Sequence, residues 1–515
     1  MKALIKHPIS SNFIVCLLLF LTASICFNNI YLNEKEISFI IISTILSLIN
    51  SKPQDKIFSF LLSLFCLLFY IAIFRFNYFL FISEILITLN LFLRNKNNTH
   101  NPTIFIIVLS FILHLFYIQQ TDINTRQHDL NGIVLYINMI SDNIKDFNPW
   151  YMYYLFHQPL HFFISGLILN FEEFLSAPYR LALETLQYLS LFYVTSSTIF
   201  FAYILRELKI KRLTFYSLLI LFAFNPTLTL FSGYISDDVP VFFWSVFVIY
   251  YVIRWYNKNK LSYLCVAALG LGLGTLTKLS ILMIVPAISF LFLAKLLSGK
   301  NKQLCIFHIC LFIIISVPIS LLWIARNHIL FDMQFFNIPD TSPSGQNFSD
   351  YNLYDRLFDF SNLFTMFISA PSIVDHNILL SLIKTELFGE WDFSKINHLV
   401  YIPSALLYFI DIIIKALVFI IAGFIVYISL AKNKYNILYL FFAIIYITVY
   451  AYSIKYSMDF PYVCSSDFRL FASVNIAEII LLGFLTYNKK TNNALFISAV
   501  CYAFLSLSIY TMILL

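Results

Sequence analysis

Five clusters of charged and polar residues interrupt an otherwise apolar sequence, and they contain the residue types that catalysis would need. In chain order they are Asp122 with Arg126, Gln127, His128 and Asp129; residues 157–161; residues 232–238; Gly270, Gly272 and Gly274 with Lys278; and Arg326 and Asn327 with residues 466–469. In the first cluster, a carboxylate such as Asp129 beside His and Arg can stay ionised and act as a general base. A solvated loop acid is the alternative interpretation.

The second cluster reads His157, Gln158, Pro159, Leu160 and His161. Proline disfavours helix at the residue before it and suits the first turn of a helix, so a helix is predicted to start here. His157 would then lie at the helix N-terminus, a favourable place for a bound phosphate. The i, i+4 spacing of His157 and His161 also suits a pair of metal ligands, and both could equally be ordinary interface residues.

The third and fourth clusters place acids and one lysine near the ends of apolar runs. Asp237 and Asp238 are adjacent carboxylates that could raise one another's pKa, bind a cation or simply be solvated. Lys278 follows a glycine-rich apolar run, where it could serve a site or extend to the membrane surface. The glycines of this run, from Gly270 to Gly274, are predicted to allow close helix packing, because a dinucleotide fingerprint needs a βαβ unit.

The fifth cluster contributes two arginines, Arg326 and Arg469, each at the end of an apolar run. Arginine binds phosphate through two parallel hydrogen bonds, and a phospholipid-like substrate presents its phosphate at this depth. Each arginine could instead anchor its helix or pair with an acid.

A few charged residues lie inside apolar runs. Asp411 and Lys415 are one helical turn apart, which predicts an ion pair on one helix face. The sequence offers no partner for Glu84 or Glu478.

The composition of the 515 residues identifies the elements that must position these clusters. Apolar residues make up 60% of the chain and charged residues 12%, against about 45–50% and about 25% in soluble proteins. The chain is therefore predicted to be an all-α polytopic membrane protein. Its net charge of +6 is too dispersed to indicate nucleic acid binding. Seven of the eight cysteines lie in apolar runs, so no disulfide framework is expected.

Fifteen apolar runs approach the roughly 20 residues that a membrane-spanning helix needs. They cover residues 11–30, 37–51, 57–74, 77–93, 102–119, 181–205, 213–231, 239–254, 261–277, 279–297, 304–324, 403–429, 435–453, 469–487 and 493–514. We expect the first to be an uncleaved anchor and not a signal peptide. With the N-terminus in the cytoplasm, 20 of the 33 basic residues fall on the cytoplasmic side.

The opposite side receives two long polar segments, about 120–180 and 326–402, and nearly all of the acids. Both segments interleave aromatic and charged residues, which favours packed surface structure over disorder. The apolar stretch 151–171 is interpreted as an interfacial helix, because counting it as a span would place the basic loops outside.

The order of the clusters resembles the GT-C membrane glycosyltransferases, in particular the protein O-mannosyltransferase and aminoarabinose transferase group that uses polyprenyl-phosphate sugars. The matching motifs are the acid-bearing loop 127–137, the Pro-Leu-aromatic element 157–162, the hairpin 233–238, the stretch 272–278 ending in Lys278, Trp323 with Arg326 and Asn327, residues 387–391, and residues 467–469. The resemblance implies a catalytic membrane domain over 101–487, with additional helices of unknown role in 1–100 and a C-terminal spanning helix in 488–515.

By this resemblance, Asp129 is the general base that activates the acceptor, and direct attack inverts the anomeric carbon. The residues expected near the lipid phosphate are His157, Lys278, Arg326 and Arg469. Supporting roles are expected for His128, Tyr136, Tyr234, Asp237, Asp238, Glu390 and Asp467.

The resemblance also implies the partners of the chain. They are a polyprenyl-phosphate-linked sugar, an extracytoplasmic protein, lipid or glycan acceptor, and the bilayer. The sequence requires no cofactor and leaves a divalent metal open. The expected location is the bacterial inner membrane with an outward-facing site, or the endoplasmic reticulum membrane in a eukaryote.

Two other functions remain as alternatives. A transporter or flippase for a lipid-linked sugar would carry paired half-length spans and ionisable groups at mid-membrane. The second alternative is a non-catalytic assembly subunit built on the same scaffold.

Overall fold

The computed structural model describes residues 101–125, 127, 129–142, 147–150, 153–174, 176–298, 301–334, 347–368, 375–392, 397–432, 437–486 and 488–513. The four apolar runs predicted before residue 100, Glu84 among them, lie outside these ranges. So does His128.

The described chain is helical, and its helices are named here in chain order. The first eight are α1 (Asn101–Gln120), α2 (Leu130–Asp142), α3 (Leu160–Phe174), α4 (Tyr179–Glu207), α5 (Arg212–Ala223), α6 (Pro226–Gly233), α7 (Asp238–Lys258) and α8 (Leu261–Thr277). The others are α9 (Val285–Ser298), α10 (Lys302–Phe331), α11 (Leu353–Phe358), α12 (Ile378–Phe388), α13 (Tyr401–Lys432), α14 (Ile437–Asp459), α15 (Val474–Leu482) and α16 (Lys489–Met512). Within the described ranges no strand forms, and the predicted all-α class is confirmed.

All eleven apolar runs predicted after residue 100 are helical. Eight helices among the described residues are long and apolar enough to cross a membrane: Pro102–Gln120, Tyr179–Glu207, Asp238–Lys258, Leu279–Ser298, Lys302–Phe331, His398–Leu430, Ile437–Asp459 and Lys489–Met512. The runs 261–277 and 469–487 form shorter helices, and the run 213–231 forms the bent pair α5 and α6. The chain is thus an integral multi-pass membrane protein, but the count of fifteen spans is not confirmed.

The bend of 42° between α5 and α6 follows from the pair Asn225-Pro226. Pro226 cannot donate a backbone hydrogen bond to the preceding turn, so α5 ends before it. The Asn225 side chain then caps α6 by accepting a hydrogen bond from the Thr227 amide at 2.9 Å. The helix restarts in a new direction and leads to the 234–238 hairpin.

The bundle core is built around α4 and α7, both of which are buried along most of their length. The helix α8 packs closely on α10, because a Cβ at Gly272 would lie 2.8 Å from the Ile319 side chain. This contact confirms that a glycine of the 270–274 run serves helix packing. By contrast, α10 and α16 expose most of their apolar surface, as lipid-facing helices do.

Charged residues collect at both ends of the bundle. At the far end of α4 and α7, Glu207 lies 3.0 Å from Lys258 and 3.6 Å from Arg254. The other end carries the hairpin that precedes α7, with Asp237 and Asp238 beside Lys278, and the loop that precedes α2. The predicted threading, with the basic loops on the cytoplasmic face, stays a prediction.

Within the bundle, Asp411 and Lys415 interact electrostatically, but the closest partners of Lys415 lie on other helices. The Lys415 ammonium lies 2.6 Å from a carboxylate oxygen of Glu478 on α15 and also pairs with Glu386 on α12. Glu478, for which the sequence offered no partner, therefore has Lys415. These ion pairs join different helices, so the spacing of residues along one helix could not predict them.

Candidate functional site

Asp129 occupies a strained position immediately before α2. Its backbone has φ +64°, a left-handed conformation that few non-glycine residues adopt but that Asp tolerates. Its carbonyl oxygen accepts a hydrogen bond from the Ile133 amide at 3.0 Å, which starts the helix. The Asp129 side chain is 40% exposed. Strain of this kind is common at functional residues, and here it presents a carboxylate to the surface of the bundle end.

The nearest cation to Asp129 among the ion pairs described is Arg469. Its guanidinium lies 3.7 Å from the Asp129 carboxylate and 3.0 Å from the Asp467 carboxylate. Asp467 also accepts a hydrogen bond from the Arg469 amide at 3.0 Å, which starts a short 3-10 helix and fixes the turn. Arg469 is therefore held between two acids that come from different loops.

Glu390 lies in the turn that ends α12, where the charges of Arg469 and Asp129 act on it. Gly389 has φ +60°, and a Cβ there would lie 3.3 Å from the Tyr234 hydroxyl, so this turn requires glycine. Burial raises the pKa of Glu390, Arg469 opposes this, and the negative charge of Asp129 reinforces it. We call Asp129, Arg469, Asp467 and Glu390 the Asp129 group.

Asp467 has the most altered acidity in the Asp129 group. Burial raises its pKa from 3.8 to about 7, Arg469 opposes the rise, and Glu390 adds to it. The three carboxylates of the group share one guanidinium. The group can therefore hold a proton near neutral pH while Asp129, its most exposed acid, remains available to a substrate.

Lys278 is the centre of a second group at the same end of the bundle. Its ammonium lies 2.9 Å from the Asp237 carboxylate and 2.5 Å from the Asp238 carboxylate. The Nδ1 atom of His157 lies 2.9 Å from the other oxygen of Asp237. Burial by itself would raise the pKa of Asp237, but Lys278 and His157 together hold it well below its usual value. We call these four residues the Lys278 group.

Local structure explains how the Lys278 group is assembled. The helix α8 ends at Thr277, and Lys278 is extended, with φ −162°. Ser236 donates a hydrogen bond to Asp238 at 2.8 Å, and the Gln127 side chain accepts one from the Ile235 amide at 2.9 Å. The hairpin that bears both acids is thereby tied to the loop that bears Asp129.

The two groups are neighbours, because the charge of Asp238 acts on both Asp467 and Arg469. Tyr234, at the start of the same hairpin, is buried and accepts a hydrogen bond from Ser190 through its carbonyl oxygen. Seven of the predicted site residues besides Asp129 thus meet here: His157, Lys278, Arg469, Asp237, Asp238, Asp467 and Glu390.

Arg326 is the last of the residues expected near the lipid phosphate, and Tyr136 separates it from the Lys278 group. The Tyr136 hydroxyl donates a hydrogen bond to the His157 carbonyl at 2.7 Å, and the Tyr136 ring interacts electrostatically with both Asp237 and Arg326. Arg326 donates to the Phe147 carbonyl and to the Asn327 side chain, each at 2.8 Å. Its guanidinium also lies over the Trp323 ring, 4.4 Å from the centroid. The four residues expected near the lipid phosphate therefore form an arc of cations, with Tyr136 between Arg326 and His157.

The predicted helical spacing of His157 and His161 is wrong, because α3 begins only at Leu160. Pro159 does mark the helix start, as its carbonyl accepts a hydrogen bond from Phe163. His161 is buried, and burial lowers its pKa to about 4. Over the described part of the chain, no three or more His, Cys, Asp or Glu side chains are arranged to hold a metal ion.

Two residues that support the site gave no sequence signal. Arg356 is 0% exposed and donates hydrogen bonds to the carbonyls of His376 and Ser457 and to the Ser466 hydroxyl, at 2.8, 3.0 and 3.3 Å. Thr385 accepts a hydrogen bond from the Phe468 amide at 2.8 Å. Both fix the segment that carries Asp467. Their partners are far away in the sequence, so no local sequence pattern could predict these contacts.

Part of the chain matches a known protein family. Residues 185–332 match the family model of dolichyl-phosphate-mannose-protein mannosyltransferase, a stretch that includes Asp237, Asp238, Lys278 and Arg326. No curated protein matches the chain. Among solved structures, the Archaeoglobus fulgidus oligosaccharyltransferase, in complex with Zn and sulfate, superposes with a TM-score of 0.47 at 13% identity. The match covers 79% of this chain and 53% of that one, so the chain spans about half the length of that protein.

The family match is to a family of glycosyltransferases and falls on the helices that carry Lys278, Asp237 and Asp238. Over these residues it confirms the resemblance inferred from the order of the motifs. Over residues 185–332, the chain resembles the dolichyl-phosphate-mannose-protein mannosyltransferases, which are GT-C membrane glycosyltransferases.

Proposed function

We propose that this protein transfers a sugar from a polyprenyl-phosphate donor to an extracytoplasmic acceptor, with Asp129 as the general base. The observation that carries the proposal is the position of Asp129, which is exposed, backbone-strained and 3.7 Å from Arg469. The family match over residues 185–332 supports the donor class, since the name of that family includes a dolichyl-phosphate sugar.

The reaction needs one base and a stabilised leaving group. The acceptor hydroxyl gives its proton to the Asp129 carboxylate while its oxygen forms a bond to the anomeric carbon. The bond from that carbon to the phosphate oxygen breaks, and its electron pair leaves with the lipid phosphate. Attack from the side opposite the phosphate inverts the anomeric centre. Alignment and proton removal are the main demands on the protein, because the phosphate is already a good leaving group.

The lipid phosphate would be bound by the arc of cations. Carboxylates hold Lys278 and Arg469 in fixed positions, which pre-organises both cations for binding. The same carboxylates also neutralise part of the positive charge of the two cations. His157 presents its ring beside Asp237, and Arg326 is oriented by the neutral oxygens of Phe147 and Asn327. We assign the leaving phosphate to the end of the bundle at which Arg326, His157 and Lys278 lie.

We also propose that the site faces outward from the bacterial inner membrane, or into the lumen of the endoplasmic reticulum in a eukaryote. The support is the gathering of Arg254, Lys258 and Glu207 at the other end of the bundle, where the positive-inside rule places basic loops. Residues 101–487 would form the catalytic domain.

A direct assay tests the proposal. The purified protein is incubated with a polyprenyl-phosphate sugar and a cell-envelope extract, and the release of polyprenyl phosphate is followed by mass spectrometry. Asp129→Asn should lower the rate by about 10²–10⁴-fold. The matched control is Asp122→Asn, because Asp122 lies in the same loop but pairs with Arg180.

The assay also separates the alternatives. Transfer by Asp129→Asn at the wild-type rate would overturn the assignment of the base. Movement of intact lipid-linked sugar across a vesicle membrane, without cleavage, would identify a flippase instead. Comparing the glycolipids and glycoproteins of cells with and without the gene would identify the acceptor and the sugar.

A further inference from the structure

A buried charge cluster lies beneath the Asp129 group and takes no part in the proposed chemistry. Its centre is Lys415 on α13, which pairs with Glu386 on α12 and lies 2.6 Å from Glu478 on α15. All three side chains are buried. We call these three residues the Lys415 cluster.

Hydrogen bonds extend the Lys415 cluster to three more helices. The Tyr450 hydroxyl on α14 donates to Glu478 at 2.8 Å. The Asn225 side chain, which also caps α6, donates to Glu386 at 3.0 Å and lies 3.5 Å from the Tyr502 hydroxyl on α16. The cluster thus joins six helices at one point.

The Lys415 cluster contacts the segment that carries Asp467 and Arg469. The Lys415 ammonium lies 5.2 Å from the centroid of the Phe468 ring, and Phe468 stands between those two site residues. The amide of Phe468 is held by Thr385, the residue next to Glu386 on α12. One turn further along, α12 ends at the Gly389 turn that delivers Glu390. Lys415 therefore touches both chain segments that build the Asp129 group.

We propose that the Lys415 cluster positions the candidate site, with Lys415 fixing Phe468 and α12 so that Arg469 bridges Asp467 and Asp129. The expected effect on catalysis rests on the proposed function, whereas the positioning of Arg469 by the Lys415 cluster does not. Lys415, Glu386 and Glu478 are positioning residues and touch no substrate. A buried ion pair commonly adds little to stability compared with neutral residues of similar size, so specificity of geometry is the better account of its presence.

Cys464 supplies a reporter of that geometry which needs no catalysis. Its side chain is exposed, and the charges of Arg469, Glu390, Asp467 and Asp129 all act on its thiol. Although solvent reaches Cys464, the protein that surrounds its sulfur raises the pKa of the thiol to about 11, and Arg469 opposes the rise. A displacement of Arg469 should change the thiolate fraction, and hence the rate of reaction with a charged methanethiosulfonate reagent.

The test compares two variants of the full-length protein in lipid nanodiscs. Lys415→Met leaves the buried side chains of Glu386, Glu478 and Asp411 without their cation and is expected to destabilise the protein. The triple variant Lys415→Met/Glu386→Gln/Glu478→Gln removes the three charges of the cluster, leaves Asp411 as the one buried acid beside it, and should recover most of the loss in the thermal unfolding midpoint. In the triple variant we expect the Cys464 labelling rate to change by at least about threefold. We expect kcat to fall about 10–100-fold with a smaller change in the donor KM.

Three outcomes decide the matter. A triple variant with recovered stability, wild-type labelling and wild-type kcat would show that the cluster only stabilises the fold, and the proposal would be wrong. Changed labelling together with an absence of sugar transfer in the wild-type protein would uphold the positioning role and reject the proposed function. Changed labelling with reduced kcat supports both. The Cys464→Ser variant gives the labelling background.

A second variant keeps the proposal testable if the triple variant does not fold. Phe468→Leu preserves apolar volume and the backbone hydrogen bond to Thr385 while removing the ring beneath which Lys415 lies. It should change Cys464 labelling in the same direction as the triple variant. Lys415→Arg keeps the charge and should retain more activity than Lys415→Met; equal labelling and activity in wild type, Phe468→Leu and Lys415→Met would overturn the proposal.

Discussion

Arg469 and Asp129 meet at 3.7 Å although they belong to loops at opposite ends of the described chain. Asp129 is held by its own left-handed backbone, and Arg469 is held by Asp467. Each partner is therefore fixed by local structure before the pair forms, so little conformational entropy is lost on pairing. A carboxylate that is oriented in this way suits proton removal from an acceptor hydroxyl.

Arg469→Lys should lower kcat/KM for sugar transfer about 10–100-fold. The planar guanidinium of arginine contacts Asp467 and Asp129 through different nitrogens, and the single ammonium of lysine cannot reproduce both contacts. The measurement is the initial rate of polyprenyl phosphate release. Arg180→Lys is the matched control, since Arg180 is an exposed arginine that pairs with Asp122. A loss of similar size in both variants would contradict a special role for Arg469.

Gly389→Ala should reduce activity through the placement of Glu390. At φ +60° an alanine costs about 1–2 kcal/mol, and its Cβ would lie 3.2 Å from Trp391 and 3.3 Å from the Tyr234 hydroxyl. The control is Gly423→Ala on α13, where no atom lies within 4 Å of the added Cβ. We expect a lower unfolding midpoint and lower kcat only for Gly389→Ala; equal midpoints would show that the turn tolerates a side chain.

The stability of the protein should fall as the pH rises from about 4 to about 7 on account of Asp467. Its folded-state pKa is raised from 3.8 to about 7, so in this window the folded protein holds a proton that the unfolded chain has released. Each such proton changes the free energy of unfolding by at most about 1.4 kcal/mol per pH unit. The charged groups that act on Asp467 are Arg469, Glu390 and Asp238.

Asp467→Asn isolates this contribution, since the amide keeps an oxygen to accept the hydrogen bond from the Arg469 amide. Thermal unfolding midpoints measured between pH 4 and pH 8 should fall less steeply in the variant than in the wild type. Parallel profiles for the two proteins would show that Asp467 ionises at the same pH in the folded and unfolded states.

The elements of the fold could be predicted from the sequence because membrane burial makes long apolar runs unambiguous. Each run predicted after residue 100 contains at least one helix among the described residues, and Pro159 marks the start of α3. The bend at Asn225-Pro226 divides one predicted run into two helices. Helix ends and bends depend on single residues, and average hydropathy does not resolve these.

The pairing of charges could be predicted much less well. Helical spacing suggested Asp411 for Lys415, but three-dimensional packing supplies Glu386 and Glu478 as its closest partners. The candidate site residues could be proposed from the sequence because most of them lie in loops or near helix ends, where charge is conspicuous against apolar helices. Their partners on other helices, and supports such as Arg356, depend on tertiary contacts that one sequence does not record.

Lys278 leads to a last prediction, that sugar transfer needs no divalent metal. Its ammonium contacts Asp237 at 2.9 Å and Asp238 at 2.5 Å, so it occupies the place where a divalent cation would bind these two carboxylates. Activity after treatment with EDTA should stay within about twofold of the untreated rate. In Lys278→Ala the two buried carboxylates face one another without a cation, and Mg²⁺ or Mn²⁺ should then raise both the unfolding midpoint and the residual activity. Loss of wild-type activity in EDTA, restored by either ion, would show that a metal binds elsewhere in the site or displaces Lys278.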